Sequence, residues 1–333
     1  MITIATRFRP FSHSTPTRCL LPASSLAACI WPAQVQIFHS GTQERLLECP
    51  VPFGPLKQFS VTLDLEQGCI VVSGFAKNGY IRYRITNKEI VGEKGWDFKQ
   101  SLPENDDFQI YKNNERLSFG CHKAQDVAAI WRRGTLGEIL PFIYALAGWY
   151  PQNTEAVKDE GSLFSEAYAA IQEHAVNEVY EKLHTLMQAS FEQLFFPQLL
   201  RTSLLGFHVP AFASASILGA LQKWRSIIRS LVLQEKEDGI HMLPVLPKEF
   251  HCGRGVDFFL QKGHKIAFEW TKKAMRTLFV EAACDDICSF IFPKDTKQFR
   301  VRIVDEEEVH TYLNHAPIPL SKGKKYFFDR FEK

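Results

Sequence analysis

No C-x-x-C pair occurs in the chain, although it contains eight cysteines: Cys19, Cys29, Cys49, Cys69, Cys121, Cys252, Cys284 and Cys288. Only Cys284 and Cys288 lie close together, and no second pair of zinc-type ligands accompanies them in the sequence. The cysteines read as free thiols of a reducing compartment, so a cytoplasmic location is expected. A glycine-rich loop of the Walker or dinucleotide type is also missing, and no cofactor is expected. Charge of one sign is scarce: the formal net charge is +2, which gives no reason to expect a nucleic-acid partner. Uninterrupted apolar runs are absent as well. The uncharged stretch Thr202 to Gln222 contains His208, Pro210 and several hydroxyl residues, which suits a buried helix better than a membrane span. No internal repeat is visible.

What is present is ordinary globular material. Hydrophobic residues make up 45% and charged residues 23%, and 27 phenylalanines favour a large packed core. A length of 333 residues suits two or three domains. Near the start, Leu26-Ala27-Ala28-Cys29 has the form of a bacterial lipoprotein cleavage box. The apolar segment before Cys29 is short and is broken by Pro22, Ser24 and Ser25, so export through Cys29 is not expected.

Periodicity divides the chain. Residues 1–115 read as an antiparallel β-sandwich. Phe59, Val61, Leu63 and Leu65 alternate with polar partners, and Ile81, Tyr83 and Ile85 alternate with Tyr80, Arg82 and Arg84 after an Asn78-Gly79 turn signal. Residues 116–238 read as helical. One long stripe runs through Phe164, Tyr168, Ile171, Ala175, Val179, Leu183, Leu186, Ser190 and Leu194. A second helix, Phe212 to Leu233, points Ile217, Leu221, Trp224, Ile228 and Leu231 inward and leaves Lys223, Arg225 and Arg229 solvated. A shorter helix follows Thr135, which has capping-box spacing to Glu138; Pro141 should kink or delay it. From residue 255 to 333 the period returns to two. Ile266, Phe268 and Trp270 face a core, and "DEEEVHT" and "APIPLSKGK" read as turns or loops. The fold class is therefore α+β multidomain: an N-terminal β-sandwich, a reduced α/α-type helical middle and a C-terminal β-sandwich.

Between the last two blocks, residues 239–254 include Ile240-His241-Met242-Leu243-Pro244-Val245-Leu246-Pro247. Two Leu-Pro pairs disfavour helix, so the segment should run extended and bury Leu243 and Leu246 between its neighbours. Gly263, then Phe268-Glu269-Trp270 and Lys272, follow. This run resembles the end of the catalytic module in the α-L-fucosidase-type glycoside hydrolases, where an "IHLLPALP" segment links the last helix of an (α/α)6 barrel to a C-terminal β-domain. The resemblance covers roughly residues 205–283 and implies carbohydrate chemistry on a sandwich–barrel–sandwich architecture. Where that family carries a catalytic Asp in an Ile-Asp-Gly-Asn-Phe-Gly type motif, this chain reads Phe207-His208-Val209-Pro210-Ala211-Phe212-Ala213, with no carboxylate. The helical block has room for roughly five or six helices, where such a barrel needs twelve. The resemblance thus implies a degenerate, non-catalytic relative that binds carbohydrate or acts as a scaffold. The alternatives are an active carbohydrate hydrolase with relocated carboxylates and a purely structural or protein-interaction module.

Candidate site residues are few. His241, His251, Cys252 and His264 match no zinc spacing, so no metal is expected. The densest polar and aromatic cluster is Ser118 to Gly134. Its Cys121, His122 and Asp126 are the residue types of a nucleophile, a base and an orienting acid, but groups so close in sequence rarely converge as a triad. His122, Asp126, Trp131 and Arg132 are instead the candidate ligand-binding residues for a carbohydrate. A glycosidase needs two carboxylates across the scissile bond, for which Asp126 and Glu138 are the candidates.

Overall fold

A computed structural model describes residues 11–13, 15–39, 44–103, 115–120, 135–150, 162–190, 217–293, 295–304, 306 and 308–333. Strands come first: β1 (Phe11–Ser12), β2 (Thr17–Leu20), β3 (Leu26–Ile30), β4 (Gln34–His39), β5 (Arg45–Pro50), β6 (Lys57–Asp64), β7 (Cys69–Ala76), β8 (Gly79–Ile85), β9 (Glu89–Lys94), β10 (Lys99–Ser101) and β11 (Arg116–Ser118). Helices α1 (Leu136–Ala147), α2 (Ser162–Gln172), α3 (Val176–Ser190) and α4 (Ile217–Val232) follow. The chain then returns to strands: β12 (Leu233–Lys236), β13 (Gly239–Met242), β14 (Cys252–Phe259), β15 (Lys265–Thr271) and β16 (Ala274–Glu281). The last are β17 (Asp286–Ile291), β18 (Gln298–Ile303), β19 (Val309–Leu313), β20 (Pro317–Leu320) and β21 (Lys325–Glu332).

The strands form four sheets, almost wholly antiparallel, so the fold is α+β. Two are N-terminal, ordered β1-β6-β7-β8-β9-β10 and β2-β3-β4-β5. Period-two alternation sets their buried faces: Phe59, Val61, Leu63, Ile81, Tyr83 and Ile85 are all buried. Leu26 to Cys29 form most of β3 and are buried too. The β7–β8 turn falls at Lys77-Asn78, and Gly79 closes it at a φ of +122°, an angle that side chains disfavour.

The third sheet has the order β11-β14-β15-β16-β21-β18-β19, so a strand from before the helices pairs with the C-terminal half. Ile266, Phe268 and Trp270 are fully buried on it. Glycines make room for their rings: a Cβ at Gly253 would lie 2.2 Å from the Trp270 indole, and one at Gly255 would lie 2.4 Å from the Phe268 ring. The fourth sheet, β12-β13-β17-β20, contains the parallel pair β13–β17.

The helical stripe is interrupted. His174 takes a φ of +55°, and the Ala175 N–H bonds Ala170 O in the manner of a Schellman cap, so one expected helix becomes α2 and α3. Tyr168, expected inside, is 46% exposed, while Ile171, Val179, Leu183 and Leu186 are buried as the period requires. Arg225, expected in solvent, is buried; Leu221, Trp224, Ile228 and Leu231 beside it face inward as expected. Thr135 is the N-cap of α1 but makes no side-chain cap bond, so the expected capping box does not form. Pro141 stands inside α1 without ending it. Having no N–H, it removes one bond of the helix ladder without ending the helix.

Leu243 and Leu246 are buried, as is Val245 between them. The backbone does not run extended throughout, however. Leu243 has a φ of +53° where the Leu243 N–H returns to Val232 O, and residues 248–250 form a 3-10 turn. Two stretches read as loops are strands: β19 within "DEEEVHT" and its sequel, and β20 within "APIPLSKGK".

Candidate functional site

Two polar clusters stand inside the described residues. The first gathers Glu115 just before β11, Tyr144 on α1 and Arg225 and Arg229 on α4. Glu115 Oε2 accepts from Arg225 Nη2 at 2.7 Å and from the Tyr144 hydroxyl at 2.5 Å, and Oε1 accepts from the Phe259 N–H at 3.1 Å. Arg225 Nη1 donates to Tyr144 O at 2.7 Å, its guanidinium lies 4.1 Å from the Tyr144 ring centroid, and Arg229 Nη2 donates to Phe259 O at 2.5 Å. Burial pushes the Tyr144 hydroxyl well above its ordinary range. Glu115 and Arg225 are 5% and 4% exposed. Both oxygens of this carboxylate are thus occupied by donors. The cluster joins the helices to the edge of the third sheet.

The second cluster lies where the β14–β15 turn meets the start of β17. Asp286 and Cys288 are spaced two apart in β17, the spacing that places side chains on one face of a strand, and Cys284 lies in the bend just before it. His264 enters from twenty positions before Cys284. Its Nε2 lies 3.2 Å from Asp286 Oδ2 and 3.9 Å from Cys284 Sγ. Cys288 Sγ donates to the same Oδ2 at 3.2 Å, and Lys262 Nζ donates to Oδ1 at 2.6 Å. Donor atoms of His264, Asp286 and Cys288 all fall within 4.8 Å of one another. His264 is 1% exposed and Cys288 6%, while Cys284 is half-buried.

The protons in this cluster can be placed. His264 Nδ1 faces the Ala283 N–H at 3.2 Å and accepts from it, so the neutral ring carries its proton on Nε2 and donates to Asp286. Burial works against charge on Asp286, but the donors Lys262, Cys288 and His264 outweigh it and hold the carboxyl well below the usual range. Burial first, and then the bond to Asp286, push the Cys288 thiol up to about 12. Cys288 is therefore no nucleophile. A Cys–His–Asp relay does not form either. Such a relay uses opposite ring nitrogens for the thiol and the carboxylate, whereas Cys284 and Asp286 both face Nε2.

Of the expected site residues, His122, Asp126, Trp131 and Arg132 lie outside the described residues, as do Cys121 and residues 207–213. Glu138 sits in the first turn of α1. Of the four residues weighed for metal, only His264 joins the second cluster; His241 pairs with Asp238 at 2.8 Å. The partners of His264 were missed because a cross-strand register sets them: Lys265 of β15 pairs with Glu281 of β16, which brings His264 beside the residues that follow β16. The one local signal is the alternation Cys284-x-Asp286-x-Cys288. Comparison with family models yields no match, and comparison with curated proteins yields no relative.

Proposed function

We propose that the chain is a degenerate, non-catalytic relative of the α-L-fucosidase-type glycoside hydrolases that binds carbohydrate on a sandwich–helix–sandwich scaffold. The observation that carries this reading is the run Phe207 to Ala213, which holds no carboxylate where the resemblance calls for a catalytic Asp. Glycoside cleavage needs an acid for the leaving oxygen and a carboxylate or activated water opposite it. Three little-exposed carboxylates among the described residues support the same reading, because all are already engaged: Asp64 by the Glu66 and Gln67 N–H groups, Glu115 by arginine and tyrosine, Asp286 by lysine, histidine and thiol. Strands before and after the helices, joined through the Ile240–Pro247 segment, have the element order that the resemblance implies.

The binding surface in this reading is His122, Asp126, Trp131 and Arg132. An indole face and charged hydrogen-bonding groups are what a sugar or an acidic glycan requires. A glycan-array screen of the full chain beside Trp131→Ala tests it. The expected result is a defined set of bound glycans whose signal the substitution removes. A blank array, or one indifferent to Trp131→Ala, would leave only a scaffold.

A further inference from the structure

We propose that His264, Asp286, Cys288 and Cys284 form a closed, tetrahedral site for a zinc-class divalent ion. The argument begins with distance. Ligand bonds of about 2.0–2.3 Å at tetrahedral angles place donor atoms roughly 3.3–3.8 Å apart. The contacts here are 3.2 Å for His264 Nε2 to Asp286 Oδ2 and 3.2 Å for Cys288 Sγ to the same oxygen, within a set of three donors that all lie within 4.8 Å of one another; Cys284 Sγ stands outside that set, 3.9 Å from Nε2, and would close in as the fourth ligand. One imidazole, one carboxylate and two thiols are the donor set that borderline-soft Zn²⁺ selects over Mg²⁺ or Ca²⁺.

Charge and burial fit as well. Two thiolates and a carboxylate around a divalent ion leave one negative charge in excess, and Lys262 stands 2.6 Å from the carboxylate oxygen that faces away from His264. Lys262 thus keeps its partner when the ion binds. His264 and Cys288 are buried, which holds water off most of the site, and four protein ligands leave no open position for chemistry. The role is structural: the ion would tie the β14–β15 turn, in the third sheet, to β17 in the fourth.

Binding requires a proton rearrangement. Two thiol protons leave to solvent as the ion arrives. The imidazole proton moves from Nε2 to Nδ1, where it meets the Ala283 N–H that Nδ1 accepts in the ion-free chain. That hydrogen bond is given up and the ring draws away from the Ala283 N–H, because the Ala282–Ala283 peptide is held at its carbonyl, which accepts from the Gly323 N–H at 2.8 Å.

The test uses the full chain, reduced and stripped with chelator, then titrated with Co²⁺ and displaced with Zn²⁺. The expected result is one equivalent of Co²⁺ per chain, with thiolate-to-metal charge-transfer bands and the intense visible bands of tetrahedral cobalt. Cys284→Ser, at a half-buried position, should shrink the thiolate bands and weaken Zn²⁺ binding by at least about 10-fold, since even loss of a residue that merely supports a ligand costs that much. Asp286→Asn should do the same, and Cys252→Ser should leave binding unchanged. Thermal melts of each metal-free variant establish that it folds. Absence of tetrahedral cobalt bands in the parent chain, or bands indifferent to Cys284→Ser and Asp286→Asn in folded variants, would overturn the assignment.

Discussion

Glu115 and Arg225 carry opposite charges that have almost no water. The desolvation of the pair is offset by further bonds: Glu115 also accepts from Tyr144 and Phe259 and lies near Arg229, and Arg225 also donates to Tyr144 O. Removing one partner leaves a charge buried with too few contacts. Glu115→Gln should therefore cost about 3–5 kcal/mol, read as a drop in the urea midpoint. Replacing Arg225 with methionine in the same chain should recover part of that loss, because it removes the buried guanidinium charge that Glu115→Gln leaves unpaired. A Glu115→Gln midpoint equal to that of the parent would show that the pair does not hold the helices to the third sheet. The sequence alone places Arg225 in solvent, because an arginine on a helix usually stands there. Its partner lies 110 residues away, and no periodicity reports such a pairing.

At the scale of elements, β18 and β21 are cross-linked by one carboxylate. Asp329 accepts from Arg300 at 2.7 and 2.8 Å and from Arg302 at 2.7 Å. The Arg300 hydrogen bonds, opposed by burial and assisted by the Arg302 charge, hold Asp329 below the ordinary carboxylate range. A depressed folded-state value means that the contribution is fully present above the unfolded value of about 3.9 and is lost as pH falls through the folded one. Asp329→Asn should therefore be less stable than the parent at pH 7, and the gap should narrow below pH ~4. Urea midpoints at a series of pH values check this; a gap that is constant with pH would contradict it. Strands with one buried face were legible, as in Phe59 to Leu65 and Ile266 to Trp270, because burial imprints a period of two. Strands β19 and β20 were not. In β19, Val309 and Leu313 are 50% and 67% exposed, so its strand state comes from pairing with β18 rather than from a buried face. In β20, Pro317 and Pro319 read as breakers, yet β20 is the edge of its sheet, where a missing N–H costs little. The α2–α3 break at His174 was hidden for a related reason: a left-handed cap need not disturb the apolar stripe on either side.

At the scale of the whole molecule, residues in and after the helices bond residues from strand-rich parts on either side in sequence. Trp149 after α1 donates to Leu65 O at 2.8 Å, Tyr150 donates to Leu21 O at 3.0 Å, and Leu243 returns to α4. Among the described residues, no helix is long and apolar enough to cross a membrane. We propose that this framework keeps a sugar-binding surface without the chemistry of a hydrolase. The direct test is turnover of a panel of aryl glycosides, fucosides included, by the purified chain beside Asp126→Asn and Glu138→Gln. None of the three proteins should release the aryl group above the uncatalysed rate. Turnover by the parent chain that disappears in Asp126→Asn or Glu138→Gln would contradict it and make the lost carboxylate a working one.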